Sequence, residues 1–253
     1  MRVLKVGGRA QEDARLAGAI AEAWRGAPGT LCVVHGGGEA VSALQRALGG
    51  EPRFVDGRRV TTESDVELVR MALSGAANKR LVSALLSCGV AAVGVSGEDG
   101  ALLGARVADG GALGRVGTPE RVDARLVRQL LAGGFLPVVS PVGRDVDHAM
   151  GAPLNVNGDD AAAALAAALG ASELLLVSDV EGVLLDGTTA AEMDDADARR
   201  AIAGGTATGG MVVKLEAAMR ALRSGVPCVR IGSGAMLHDD AAGTAVRAAR
   251  AAA

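Results

Sequence analysis

Arg2-Val3-Leu4-Lys5-Val6-Gly7-Gly8 reads as a short strand running into a turn of bare backbone, with a lysine among apolar residues just before the turn. Lysine is rarely buried without a partner, whereas main-chain N–H groups at a strand-to-helix turn, backed by a helix N-terminus, form a ready anion site. Two readings stand at this point: an edge-strand lysine facing water, or a turn that holds phosphate. Similar apolar runs recur at 31–34, 91–95, 136–140, 174–178 and 228–231, with amphipathic stretches between them. Continuous rather than alternating runs suit strands covered on both faces, and their alternation with helical stretches predicts an α/β fold with a mainly parallel central sheet. Helices are expected over 12–25, 39–48, 63–73, 79–87, 123–132, 159–169, 194–203, 211–224 and 240–252. Thr62 ahead of Glu63-Ser64-Asp65 is a candidate N-cap with acidic residues in the first turn. The Gly-rich pieces between 101 and 122, and the segment 142–154, read as hairpins on the rim of the sheet. A soft division after Gly170 separates lobes 1–170 and 171–253, and the alanine-rich end of the last helix is expected to fray.

With 253 residues, 49% of them hydrophobic and 22% charged, the chain has the composition of a globular protein able to build a large core without staples. A net charge of −3 supplies no basic field, so nucleic acid is not an expected partner, and an anionic substrate must be met by local charge. Cys32, Cys88 and Cys228 are scattered and set in apolar company, as reduced thiols are. His35, His148 and His238 share no metal-ligand spacing with one another or with a cysteine, so no protein metal site is expected. No signal-peptide pattern and no apolar run of bilayer length is present, which predicts a cytoplasmic protein without membrane partners. There is no Tyr, one Trp and two Phe, so a bound base would rest on backbone and aliphatic side chains rather than in an aromatic sandwich.

Four further stretches carry chemistry. His35-Gly36-Gly37-Gly38 follows the second strand and precedes Glu39. Each glycine costs about 0.5–1 kcal/mol against Ala, more than a tight turn needs three times over, which favours close main-chain approach to a ligand. The motif is neither a Walker A loop nor the dinucleotide fingerprint. Asn155-Val156-Asn157-Gly158-Asp159-Asp160 holds more Asn and Asp than helix capping requires, so some of them should face a site. Ser178-Asp179-Val180-Glu181-Gly182 lies at the C-terminal end of a buried strand, where open α/β sheets bind ligands, although an ordinary capped turn reads the same way. Thr208-Gly209-Gly210-Met211-Val212-Val213-Lys214 opens a helix and puts Lys214 in its first turns; alone, Lys214 reads as a surface lysine.

Lys-x-Gly-Gly, His-Gly-Gly-Gly, Gly57-Arg58-Arg59-Val60-Thr61, Asn-Val-Asn-x-Asp, Ser-Asp-Val-x-Gly and Gly-Met-x-x-Lys, in this order and nearly end to end, resemble the amino acid kinase family. The Gly-Arg-Arg-Val-Thr and Asn-Val-Asn-Gly-Asp segments are most similar to members that phosphorylate N-acetylglutamate. The resemblance implies a three-layer α/β/α sandwich, and transfer of phosphate from MgATP to the γ-carboxylate of N-acetyl-L-glutamate, the second step of arginine biosynthesis. By position it makes Lys5, Lys214 and Asp159 catalytic, the lysines neutralising charge on the transferring group and Asp159 orienting both. Gly8 and Gly37 would donate main-chain N–H groups to the phosphates, while Gly37, Gly38, Arg59 and Asn155 would hold the acyl-amino acid. Gly7 and Gly8, then Ser178, Asp179, Val180, Glu181, Gly182, Val183 and Leu184, with Thr206, Ala207, Thr208, Gly210 and Met211, would hold ATP. It assigns acyl-amino acid binding and dimerisation to lobe 1–170 and ATP binding to lobe 171–253. The chain departs from the family pattern in a short stretch after Gly8, in Gly158 where Ala is common, and in a trimmed loop over 183–189. It also lacks the extra N-terminal helix of the arginine-inhibited hexameric members, implying a homodimer through the 63–73 helix without arginine feedback.

The chemistry is consistent with this expectation. A carboxylate acceptor with a pKa of about 4.3 is already ionised at pH 7 and needs no general base. Phosphoryl transfer then rests on positioning and charge neutralisation, with Mg²⁺ held by ATP phosphates and water. Arg59, with its planar fork, suits the substrate's other carboxylate. Two alternatives remain. Related kinases act on glutamate or 2-aminoadipate attached to a small acidic carrier protein, which calls for a basic docking surface, for which Arg53, Arg58, Arg70, Lys79 and Arg80 are the candidates. A non-catalytic nucleotide or amino-acid sensor would keep the fold but has no need of Lys5, Asp159 and Lys214 together.

Overall fold

A computed structural model describes residues 1–249 except Asp186, and for Arg9, Glu12 and Ala14 it describes the backbone alone. Strand β1 (Arg2–Val6) lies at the centre of an eight-stranded sheet. Its neighbours are β2 (Leu31–His35) on one side and β11 (Glu173–Val177) on the other, both parallel, with Lys5 in register with Val34 and Leu176. Beyond β2 lie β8 (Leu136–Ser140) and β5 (Ala92–Ser96); beyond β11 lie β15 (Val229–Gly232), β16 (Thr244–Arg247) and β14 (Glu192–Asp194). The continuous apolar runs are covered on both faces, as a parallel sheet requires. Leu4, Val6, Val33 and Leu175 pack with α1 (Ala14–Gly26) and α4 (Asn78–Ser87). Val3, Val34, Leu174 and Leu176 pack instead with α6 (Gly158–Leu169) and α8 (Gly210–Arg223). The result is the three-layer α/β/α sandwich expected, with the sheet continuous across position 170 through the β1–β11 pairing.

The rim hairpins are more than decoration. Strands β6 (Leu103–Val107) and β7 (Val116–Val122) form one hairpin, and β9 (Val142–Asp145) and β10 (Pro153–Val156) the other. The two also pair with each other in parallel, β10 with β7 and β6 with β9, closing a small four-stranded barrel. Its inside is too narrow for more side chains: a Cβ on Gly117 would come within 3.0 Å of Leu154 and Ala105, and one on Gly143 would meet Leu103 O at 3.0 Å. Because β9 follows β8 across one residue and β10 feeds α6, the barrel stands at the C-terminal end of the sheet, beside the glycine turns.

One expected helix is absent. Residues 240–252 carry a helix-like alanine pattern, yet Thr244–Arg247 form β16, antiparallel to β15 and parallel to β14. Gly243, at φ +82°, makes the turn, and fully buried Thr244 and Val246 favour a pleated surface over helix propensity. The tail beyond Ala249 lies outside the described residues. The helices expected over 63–73 and 79–87 prove to be one: α3 (Glu63–Arg70) runs through a π-helical stretch, Met71–Ala77, into α4. Thr62 caps α3 as expected, in a reciprocal box with Asp65. The remaining helices, α2 (Gly38–Ala47), α5 (Arg125–Ala132) and α7 (Asp195–Ala203), lie within a residue or two of expectation. No described helix is long and apolar enough to cross a membrane.

Candidate active site

Two lysines converge on one carboxylate. Lys5, near the end of β1, places Nζ 2.9 Å from Asp159 Oδ1, and Lys214, in the second turn of α8, places Nζ 3.3 Å from Asp159 Oδ2. Asp159 sits in the first turn of α6, whose cap is Asn157: the Asn157 Oδ1 accepts the N–H of Asp159 at 2.8 Å and of Asp160 at 3.3 Å. The three side chains are nearly sealed, with relative exposures of 10%, 6% and 12% for Lys5, Asp159 and Lys214. Burial pushes the Asp159 carboxyl up, but the charges of Lys5 and Lys214 prevail and hold it below the usual range. Burial and the neighbouring Lys5 charge both push Lys214 down. A triad of two ammoniums and one carboxylate carries a net positive charge, which an incoming phosphate neutralises.

Above Lys5 lies a cavity of about 220 Å³ whose walls include Gly8, Gly37, Gly38, Arg59 and Asn155. Part of the wall is bare main chain, and at Gly37 nothing else fits. Gly37 adopts φ +149°, and a Cβ there would lie 2.7 Å from Leu73 Cδ2. A Cβ on Gly36 would meet Gly8 N at 3.3 Å, so the two glycine turns touch backbone to backbone. Gly7 ends β1 by donating its N–H to Val177 O at 3.2 Å. A Cβ on Gly158 would press on Lys5 Cε at 3.2 Å.

Arg59, on the hairpin of β3 (Phe54–Val55) and β4 (Arg58–Arg59), is 9% exposed. Its Nη2 donates to Gly38 O and Ser42 Oγ, both at 2.7 Å, its Nη1 donates to Gln45 Oε1, and the Phe54 ring lies 4.7 Å below the guanidinium. Gln45 in turn donates to Asp65 at 2.8 Å. Much of the fork is thus already occupied within the protein, so a carboxylate would meet its remaining edge or displace one of these partners. Asn155 donates to Thr61 Oγ1 at 2.9 Å from the opposite wall. Sequence reasoning missed Ser42 and Gln45, since helical polar residues of this kind ordinarily face water and only the hairpin fold brings Arg59 to them.

The residues expected for ATP are spread along the other side. Ser178, Asp179 and Glu181 line a second cavity of about 560 Å³ with Ser233, Gly234 and His238. Val180 and Leu184 expose apolar surface, at 39% and 54%. Gly182 and Val183 are buried, the Val183 N–H donating to Thr244 Oγ1 at 2.8 Å, and a Cβ on Gly182 would lie 2.5 Å from Thr189. Thr206, Thr208 and Gly210 are exposed at the start of α8, with Ala207 buried and Met211 half-buried between them. These five line neither cavity.

Asp160 points elsewhere, toward Arg220 and to within 3.8 Å of Arg58; burial pushes its carboxyl up against the pull of both cations. His35 is sealed and neutral. Burial holds it near 4, and both ring nitrogens are engaged, Nδ1 with Gly36 O at 2.7 Å and Nε2 with Asn78 Nδ2 at 3.1 Å, so it presents no base to the cavity. Among the described residues no cluster of three or more His, Cys, Asp or Glu side chains has metal-holding geometry. Asp159, which follows cavity-lining Gly158, has both oxygens taken by lysines, so a divalent ion here would be ligated by nucleotide phosphates and water.

Comparison with known proteins follows the same lines. The model of the amino acid kinase family matches residues 1–233. The acetylglutamate kinase of Rubrobacter xylanophilus is 46% identical over 204 residues, 81% of this chain and 78% of that protein. The acetylglutamate kinase of Chloroflexus aurantiacus is 41% identical over 239 residues, 94% of this chain and 93% of that protein. Among solved structures, smu.665 from Streptococcus mutans UA159 superposes with a TM-score of 0.86 at 28% identity, covering 98% of both chains.

Proposed function

Because this chain belongs to the amino acid kinase family, we propose that it transfers the γ-phosphoryl group of ATP to the γ-carboxylate of N-acetyl-L-glutamate, as its acetylglutamate kinase relatives are named for doing. The observation that carries this reading is the convergence of Lys5 and Lys214 on buried Asp159, with Lys5 itself lining the glycine-rich cavity. Gly37, Gly38, Arg59 and Asn155 hold the acyl-amino acid in that cavity, and Arg59 takes its other carboxylate. Gly7 and Gly8 meet the phosphates together with the Gly37 N–H, while residues 178–184, 206–208, 210 and 211 hold the rest of the nucleotide, the exposed Val180 and Leu184 offering the aliphatic platform that a chain poor in aromatics needs. Lobe 1–170 thus serves the acceptor and lobe 171–253 the nucleotide.

The reaction needs little else from the protein. The acceptor arrives ionised, the lysines and Mg²⁺ neutralise charge that spreads over the equatorial oxygens, and Asp159 keeps both ammoniums aimed. The carrier-protein reading finds less support. Arg58 is turned toward Asp160 and Glu216, Arg70 pairs with Glu67 and Glu98, and Lys79 donates to Asn78 and Gly94, so these cations are engaged internally rather than arrayed for an acidic partner. We place the protein in the cytoplasm as a homodimer through the helix over 63–73, where Met71, just past the end of α3, leaves an apolar side chain 54% exposed.

The test is ADP release with MgATP and a panel of free and N-acylated acidic amino acids. Turnover with N-acetylglutamate well above glutamate and aspartate is expected; turnover with a different acceptor alone would replace the substrate assignment, and none with any acceptor would favour a sensor.

A further inference from the structure

His35 and Asn78 take no part in the chemistry above, yet both are fully buried against the glycine turn. A polar pair in the core is costly unless every donor and acceptor is matched, and here the matching dictates a direction. Asn78 Oδ1 accepts from the Lys79 ammonium at 3.1 Å, which has no acceptor to offer in exchange, and one Asn78 amide hydrogen goes to Val138 O at 2.9 Å. The other lies between His35 Nε2 at 3.1 Å and the more distant Val95 O at 3.5 Å; an amide nitrogen cannot accept, so Nε2 is the acceptor, and the ring proton resides on Nδ1, donating to Gly36 O at 2.7 Å. Gln11 Nε2 donates to the same carbonyl at 3.0 Å. The Gly36–Gly37 peptide is planar and trans, so its C=O and N–H point opposite ways. Holding Gly36 O on the protein side therefore aims the Gly37 N–H away from it, and Gly37 walls the cavity. The π-helical stretch that leads into Asn78 braces the same turn, Leu73 and Ala77 lying against Gly37.

We propose that Asn78 and His35 are positioning residues: through a one-way chain of hydrogen bonds they set the orientation of the Gly36–Gly37 peptide, and so of the N–H that meets the transferring phosphoryl group. The inference rests on the kinase reading of this site. Misaiming a donor costs turnover more than substrate affinity, because the donor acts on charge that develops in the transition state.

The experiment has two arms. Histidine ¹⁵N spectra of the wild-type protein at pH 7, assigned with His35→Asn, should show a neutral His35 with the proton on Nδ1; a proton on Nε2 would overturn the inference whatever the substrate proves to be. Kinetics with MgATP and N-acetylglutamate should show His35→Ala and Asn78→Leu losing about 10- to 100-fold in kcat with KM for both substrates within about threefold, and His35→Asn, which keeps an amide donor near Gly36 O, recovering part of the loss. Variants that fold but keep wild-type kcat would overturn the positioning role. A wild-type enzyme inactive on N-acetylglutamate would instead refute the substrate assignment and leave the spectroscopic arm to decide.

Discussion

Lys5 and Lys214 share one carboxylate, so either ammonium can be removed without leaving Asp159 unpaired. Lys214→Ala is therefore expected to fold with a Tm near that of the wild type while kcat falls about 10²- to 10³-fold, the scale of losing one donor to developing charge. Steady-state kinetics and calorimetry on the same preparation check this, and an unaltered kcat would remove Lys214 from the mechanism. Arg59→Lys should raise KM for the acceptor more than it lowers kcat, since a point charge cannot replace a planar fork. His35 supplies a pH signature. Its imidazole titrates near 4 in the fold because burial opposes the charge, against about 6.5 when unfolded. Stability from this group is thus full above about 6.5 and is lost as pH falls toward 4, by about 3 kcal/mol in all. Denaturant melts at pH 7 and pH 4 should show a larger loss for the wild type than for His35→Asn; equal losses would contradict a neutral buried ring. At this scale the sequence shows which residue types stand at turns but not whom they meet. Lys5 alone reads equally as a surface charge. Its burial against Asp159, more than 150 positions away, follows from the β1–β11 pairing that sets α6 over the sheet.

The glycine turns and helix starts show the same logic in larger pieces. Strands β1, β2, β8, β11 and β15 are legible because continuous apolar runs between amphipathic segments admit few alternatives. β16 is not, because its alanines score for helix while its register is decided by the open edge of β15. Nor is the union of α3 and α4, since Gly75 and Asn78 look like breakers and the π-helical stretch is set by packing on Gly37. Gly37→Ala combines a φ of +149° with a Cβ 2.7 Å from Leu73, so it should leave secondary structure intact and reduce activity at least tenfold by displacing the turn. Asp160 ties α6 to α8 through Arg220. Asp160→Ala should cost about 2 kcal/mol by denaturant titration, less than for a sealed pair because Arg220 is 35% exposed and can turn to water.

The whole molecule divides its labour around one sheet. The C-terminal ends of β1 and β2 carry the glycine turns, β10 and the β3–β4 hairpin contribute Asn155 and Arg59 to the cavity, and α6 and α8 bring Asp159 and Lys214 to Lys5. Association through α3 predicts a particle of twice the 25.1 kDa chain mass by light scattering; a monomer or a hexamer would contradict it. The central claim is that a carboxylate of N-acetylglutamate receives the phosphoryl group, and its product is an acyl phosphate. Hydroxylamine traps such a product as a hydroxamate. With MgATP and N-acetylglutamate the enzyme should yield a hydroxamate in step with ADP, and Lys214→Ala should yield next to none; ADP without hydroxamate, or hydroxamate only from another acceptor, would contradict the account.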